Sequence, residues 1–235
     1  MTDAVVEIDG LIKDYHALRP LRIQRLAVAA AESVAIVGLD AAAAEVLVNV
    51  ITGAVLPDAG AVRVFGRHTS AIADSDDWLT VLDRLGIVSE RAVLVDQLTV
   101  LQNLAMPFTL DIEPPSDDVR ARAGALAREV GLTESSVGQR VGDLDAAGRL
   151  RVRVGRALAF QPSLLLLEHA TAGLGAADAR RAGQDIRSLA ERSGAALIAA
   201  TADEQFASAV AKRVLVLEPS TGRLRPRGVR GRWNL

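Results

Sequence analysis

The stretch Val34-Ala35-Ile36-Val37-Gly38-Leu39-Asp40-Ala41-Ala42-Ala43-Ala44-Glu45 decides the fold. With Ser33 in front of it, the first part reads as a strand over 33–37 that is apolar without alternation. Continuous apolarity marks a strand buried on both faces. Gly38 ends the strand, and Asp40 followed by four alanines and Glu45 reads as a helix start. Aspartate is a good N-cap and alanine the strongest helix former. The helix is expected over 41–52, beginning at Ala41, with the Asp40 carboxylate accepting from the N–H of Ala42 or Ala43.

Outward from this unit, short apolar runs bounded by turn residues recur at 5–8, 62–65, 86–88, 164–167, 196–200 and 214–217 and read as strands. Helical patterns lie at 100–107, 117–130, 146–160, 176–192 and 204–211. Strands of this kind separated by helices imply an α/β fold with a largely parallel sheet. The segment 91–160 holds helices with hardly any strand, as an inserted helical lobe would, and Glu113-Pro114-Pro115-Ser116 is a loop or hinge within it. The expectation is a single domain over 1–235, with a core lobe at about 1–90 and 161–235.

Composition narrows the function classes. Half of the 235 residues are apolar, enough for one sizeable core. Twenty-seven basic residues against 29 acidic ones leave a formal charge of −2, which gives no reason to expect nucleic acid as a partner. No cysteine is present, so disulfides and thiolate metal sites are excluded. The first ten residues, MTDAVVEIDG, do not read as a secretory signal. The most apolar stretch, 26–56, is broken by Glu32, Gly38, Asp40 and Glu45 and is too interrupted to span a membrane. A cytoplasmic protein that meets a membrane only at its surface or through another subunit is expected. His16 and His68 read as surface loop residues without partners.

The strand ending at Gly38, the helix after it and the run Ile51-Thr52-Gly53-Ala54-Val55-Leu56-Pro57-Asp58-Ala59-Gly60-Ala61-Val62-Arg63-Val64-Phe65-Gly66 together resemble the P-loop region of ABC transporter ATP-binding subunits. Leu85-Gly86-Ile87-Val88-Ser89-Glu90 resembles the Q-loop, 98–104 the helix after it, 144–158 the signature motif with its helix, 164–174 the Walker B strand and D-loop, and 197–203 the H-loop. Tyr15 stands where the family stacks an aromatic on adenine. The resemblance covers about 4–224. It implies a P-loop NTPase-like ABC ATPase fold: a mixed, mainly parallel sheet core, an N-terminal antiparallel β region and an inserted α-helical lobe.

The resemblance also implies what each site position should contain, and most contain something else. A P-loop uses glycine-rich backbone N–H groups around phosphate, a lysine on the outer phosphates and a hydroxyl on Mg²⁺. Gly38 survives, but Asp40, Ala41 and Ala43 occupy the loop, Ala44 the lysine position and Glu45 the hydroxyl position. The signature motif reads Leu144-Asp145-Ala146-Ala147-Gly148, so both helix starts meant for phosphate carry an aspartate at their positive end. Walker B ends in Glu168-His169, in place of the family's Asp and Glu. Glu90 stands at the Q-loop glutamine, Gly175 at the D-loop aspartate and Ala202 at the H-loop histidine. Glu168, His169, Glu90 and Ala202 thus mark catalytic positions where no catalysis is expected.

Two alternatives stay open within the cleft. Glu45 and Glu168, at the family's Mg²⁺ positions, can face each other and hold a divalent cation or share a proton, or they can form a solvated acidic cleft. The tail from Thr221 carries Arg223, Arg225, Arg227, Arg230 and Arg232 without an acidic residue, and such a cluster either meets an anionic membrane or partner or is simply solvated.

The expectation is therefore a pseudo-ATPase that uses neither ATP nor Mg²⁺ as cofactor. It would dock on membrane permease subunits at the inner face of the cell membrane, in a dimer with a second, ATP-competent ABC subunit. Two other readings remain: an atypical active ATPase, and a soluble scaffold or regulator unconnected to transport.

Overall fold

Strands apolar on both faces need a covering layer on each side, and the fold supplies two. The structure is a computed structural model that describes residues 4–71 and 75–228. Its strands and helices run β1 (Ala4–Lys13), β2 (Leu21–Ala29), β3 (Ser33–Val37), α1 (Ala41–Ile51), β4 (Ala59–Val64), β5 (Arg67–His68), α2 (Ser75–Leu82), β6 (Leu85–Ser89) and α3 (Val100–Ala105). There follow α4 (Asp117–Glu129), α5 (Glu134–Val137), α6 (Ala146–Leu158), β7 (Leu164–Glu168), α7 (Ala176–Ser193), β8 (Ala196–Thr201), α8 (Glu204–Val210), β9 (Arg213–Glu218) and β10 (Arg223–Pro226).

The central sheet has six strands in the order β10-β9-β3-β8-β7-β6, parallel except for β10 at its edge. A second sheet, β2-β1-β4-β5, is wholly antiparallel. Alternate residues of each central strand serve different cores. Ala35, Val37, Leu165, Leu167, Leu197 and Ala199 point into a core shared with α3, α4, α6, α7 and α8. Val34, Ile36, Leu164, Leu166 and Ile198 point into another, shared with α1 and the antiparallel sheet. This is why the strands read as unbroken apolar runs.

The antiparallel region is larger than the runs at 5–8 and 62–65 suggest. Strand β2 alternates, with Arg22, Gln24 and Arg25 exposed between buried Leu21, Ile23 and Leu26, so it lacks the unbroken apolar signature. Gly60 lets β4 pass close to β1: its φ is 82°, and a Cβ there would lie 2.2 Å from the Gly10 carbonyl oxygen. His68 lies on β5, and its Nε2 accepts from Arg63 Nε at 2.8 Å, so the reading of a partnerless loop histidine is corrected. The backbone N–H of His16 donates to Asp14.

The tail also differs from a free basic segment. Arg223–Pro226 forms β10, Arg225 pairs with Glu218, and Arg227 pairs with Glu204 at 2.7 Å. The acidic partners lie earlier in the chain, outside the window in which the tail reads as purely basic. Arg230 and Arg232 lie outside the described residues. No described helix is long and apolar enough to cross a membrane.

Candidate functional site

The site begins where β3 ends. Gly38 has φ 92°, and a Cβ there would come within 3.0 Å of the Leu217 carbonyl oxygen, so the turn into α1 requires glycine. Asp40 then takes an extended conformation, and its Oδ1 accepts from the Ala43 N–H at 2.8 Å, the cap the sequence predicts. Ala41 is exposed, whereas Ala43 and Ala44 are buried, Ala44 completely, beside Leu47 and Val48. The first turn of α1 therefore turns methyl groups inward and closes its own donor with a carboxylate.

Tyr15 sits beside this cap. With Arg19, Leu21, Leu39, Asp40 and Leu217 it lines a cavity of about 90 Å³. Burial, with the Asp40 carboxylate adding to it, raises the Tyr15 phenol above its ordinary pKa.

Below the cap, one guanidinium organises the cleft. Arg91 Nε donates to Glu168 Oε1 at 2.9 Å and Nη2 to Glu168 Oε2 at 2.5 Å, a bidentate pair with a nearly buried carboxylate. Arg91 Nη1 reaches Glu45 Oε1 at 3.2 Å, Nη2 reaches Asn49 Oδ1 at 3.4 Å, and the Ser89 hydroxyl adds a bond to Glu168 Oε1 at 3.2 Å. The hydrogen bonds from Arg91 to Glu168, ahead of the opposing effect of burial, raise the guanidinium pKa further. From sequence, Glu45 and Glu168 either face each other or line a solvated acidic cleft, and neither alternative includes the Arg91 guanidinium that lies between them. The available signal was pairing: Ser89 lies opposite Glu168 in the β6–β7 register, and Arg91 follows two residues later.

His169 follows with φ 40°, its N–H donating to the Ala200 carbonyl, and its Nε2 is buried without a hydrogen-bond partner. Glu90, Gly175 and Ala202 are exposed. Among the described residues no cluster of three or more His, Asp or Glu side chains is placed to hold a metal ion.

The signature-like segment forms a separate helix start. Asp145 Oδ1 accepts from the Gly148 N–H at 2.7 Å, and α6 runs from Ala146. Gly148 is buried so close that a Cβ would meet that carboxylate at 3.1 Å. Leu144 packs against the helical core, and Asp145 and Ala147 line a cleft between α6 and α7 with Arg151 and Asp178. Among the described residues, the side-chain partners of Arg91 are Glu168, Glu45 and Asn49, and Asp145 is not one of them.

On the far side of β6 lies a groove of about 370 Å³, lined by Leu85, Ile87, Ala92, Met106, Arg156 and Phe160. Phe160 is 59% exposed, and it stacks edge-to-face with Phe108 at 5.9 Å. Arg156 donates to the Val93 carbonyl at 2.8 Å, and burial lowers its pKa. Arg153 also lines the groove, with its Nε buried and unpartnered. An apolar trough with such donors along one wall can take a protein segment bearing apolar side chains and an acceptor.

The ABC transporter family model matches residues 21–172. The methionine import ATP-binding protein MetN of Brucella abortus (strain 2308) is 27% identical over 91% of this chain and 57% of its own length. The molybdenum import ATP-binding protein ModC of Mycobacterium tuberculosis (strain ATCC 25618 / H37Rv) is 34% identical over 83% of this chain and 53% of its own. The chain thus spans little more than half the length of these two relatives. Among solved structures, cbiO1 from Clostridium perfringens, part of the ABC transporter complex cbiONQ, superposes with a TM-score of 0.78 at 18% identity, over 95% of this chain and 87% of that one. The family match, together with the two sheets and the capped helix after Gly38, makes this chain a member of the ABC transporter family, with the fold of its ATP-binding cassettes.

Proposed function

We propose that this chain is a cassette subunit that neither binds nor hydrolyses ATP. It docks beneath a membrane permease at the inner face of the cell membrane and pairs with an ATP-competent cassette, in a structural or regulatory role. The observation that carries the reading is the Arg91 guanidinium held between Glu45 and Glu168. A divalent cation on those carboxylates would have to displace a bidentate arginine, and a polyphosphate would meet Glu45 and the Asp40 carboxylate at the helix start. Two unit charges of like sign 4 Å apart repel by about 1 kcal/mol in water and about 4 kcal/mol near a protein surface. Ala44, fully buried, offers no cation in compensation. Mg-ATP therefore does not fit the residues present.

The groove supports the docking role. It keeps exposed apolar side chains and half-buried arginines, while the cleft has lost its phosphate chemistry. In a dimer whose two sites each combine one chain's P-loop with the other's signature, Asp145 would face the partner's nucleotide, so at most one nucleotide would be held per pair, by the partner. The buried, unpartnered Nε2 of His169 favours the second reading, an atypical ATPase with histidine as base. Purification of the native complex from membranes tests the proposal. A polytopic membrane protein and a second cassette should co-purify, and recovery of the chain alone in the soluble fraction would refute it.

A further inference from the structure

A short segment, residues 89–95, runs from the cleft to the groove, and each end of it is fastened differently. At the cleft end, Arg91 binds Glu168 on β7 together with Glu45 and Asn49 on α1, while its own N–H donates to Ser89 Oγ at 3.1 Å. At the groove end, the Asn103 side chain accepts from the Val95 N–H at 3.0 Å and donates to the Val95 carbonyl at 3.0 Å, and Arg156 holds the Val93 carbonyl. Ala92, next to Arg91, is part of the groove wall.

We propose that Arg91 is a positioning residue for the groove: a built-in cation that fixes segment 89–95 to the cleft, so that the groove keeps one docking-ready shape without a ligand. Glu45 and Glu168 lie on different elements and would repel each other, and one guanidinium satisfies both while tying in the start of the segment. Glu168 on β7 and Glu45 and Asn49 on α1 converge on Arg91, and among the described residues Ser89 makes the one other side-chain bond from the segment to the cleft. Losing Arg91 therefore frees the cleft end and leaves the groove end held by Asn103 and Arg156.

That Arg91 fixes the segment without a ligand rests on the proposed reading of the cleft as closed to Mg-ATP. The test needs neither ATP nor a permease, so each can fail alone. Hydrogen exchange is measured on the whole chain and on Arg91→Gln. Amides at positions 91 and 92 are hydrogen-bonded to Ser89 and report opening of the cleft end, while the amide at 95, held by Asn103, reports the groove end. Exchange at 91 and 92 should rise by about tenfold in Arg91→Gln, as expected for loss of charge-assisted bonds, while the amide at 95 and interior amides of β7 and β8 keep their rates. If that variant does not fold, Arg91→Lys reports the same amides, with a smaller rise expected. Unchanged rates at 91 and 92 in the folded variant, or a rise of equal size throughout the chain, would overturn the proposal.

Discussion

Replacing Arg91 with methionine keeps the aliphatic stem and removes the charge, and its cost follows from who is left unpaired. The Glu168 side chain is 8% exposed and loses two of its three hydrogen bonds, retaining Ser89. Breaking a buried pair by removing one partner costs about 3–5 kcal/mol. The Arg91 side chain is 43% exposed, so water can partly replace it, and the expected cost falls to about 2–3 kcal/mol. Glu45→Gln loses only the half-exposed pair at 3.2 Å and should cost about 0.5 kcal/mol or less. Arg91→Met combined with Glu168→Met leaves no buried charge behind and should be more stable than Arg91→Met alone, a coupling of at least about 1 kcal/mol. Urea denaturation of the wild-type protein, Arg91→Met, Glu168→Met, their combination and Glu45→Gln measures these costs without screening the ion pair by salt. A cost below about 0.5 kcal/mol for Arg91→Met, or a double variant that equals the sum of the singles, would refute the reasoning.

Three further outcomes are expected. Tyr15 is the only tyrosine, so an ultraviolet titration reads it alone. Its midpoint should lie above the usual value of about 10 and move back toward it in Asp40→Asn. Because the folded pKa is the higher one, the associated stability is complete below the unfolded pKa and disappears as pH rises through the folded value. Asp40→Ala removes the cap on Ala43 and should lower stability by about 1 kcal/mol in the same denaturation assay, whereas Asp40→Asn should retain most of it. Ala44→Lys with Glu45→Ser restores the family's phosphate and metal groups, yet phosphate release should stay at background, since position 44 is fully buried and Arg91 still occupies Glu168. Clear turnover would contradict that account.

What the sequence makes legible is what is local. Strand, Gly38, Asp40 and the alanine run lie within a dozen residues, so the turn, the cap and the start of α1 can all be read from neighbouring positions. The central strands are legible because both of their faces are buried, which leaves no polar residue to break the pattern. Strand β2 is not, because its exposed face carries Arg22, Gln24 and Arg25, and β5 is too short to show any period. In the cleft, family positions identify Glu45 and Glu168 but not Arg91, whose partners are 46 and 77 residues away in sequence. The same holds for Arg227 and Glu204, and for His68, whose partner Arg63 lies across a hairpin turn. Ion pairs of this kind are fixed by the register of strands and the packing of helices, and they emerge only with the tertiary fold.

The central claim is that the cleft has exchanged nucleotide and metal for an internal arginine. Titration calorimetry of the purified protein with Mg-ATP tests it most directly. The account predicts no saturable binding at millimolar concentration, and a dissociation constant in the micromolar range would contradict it.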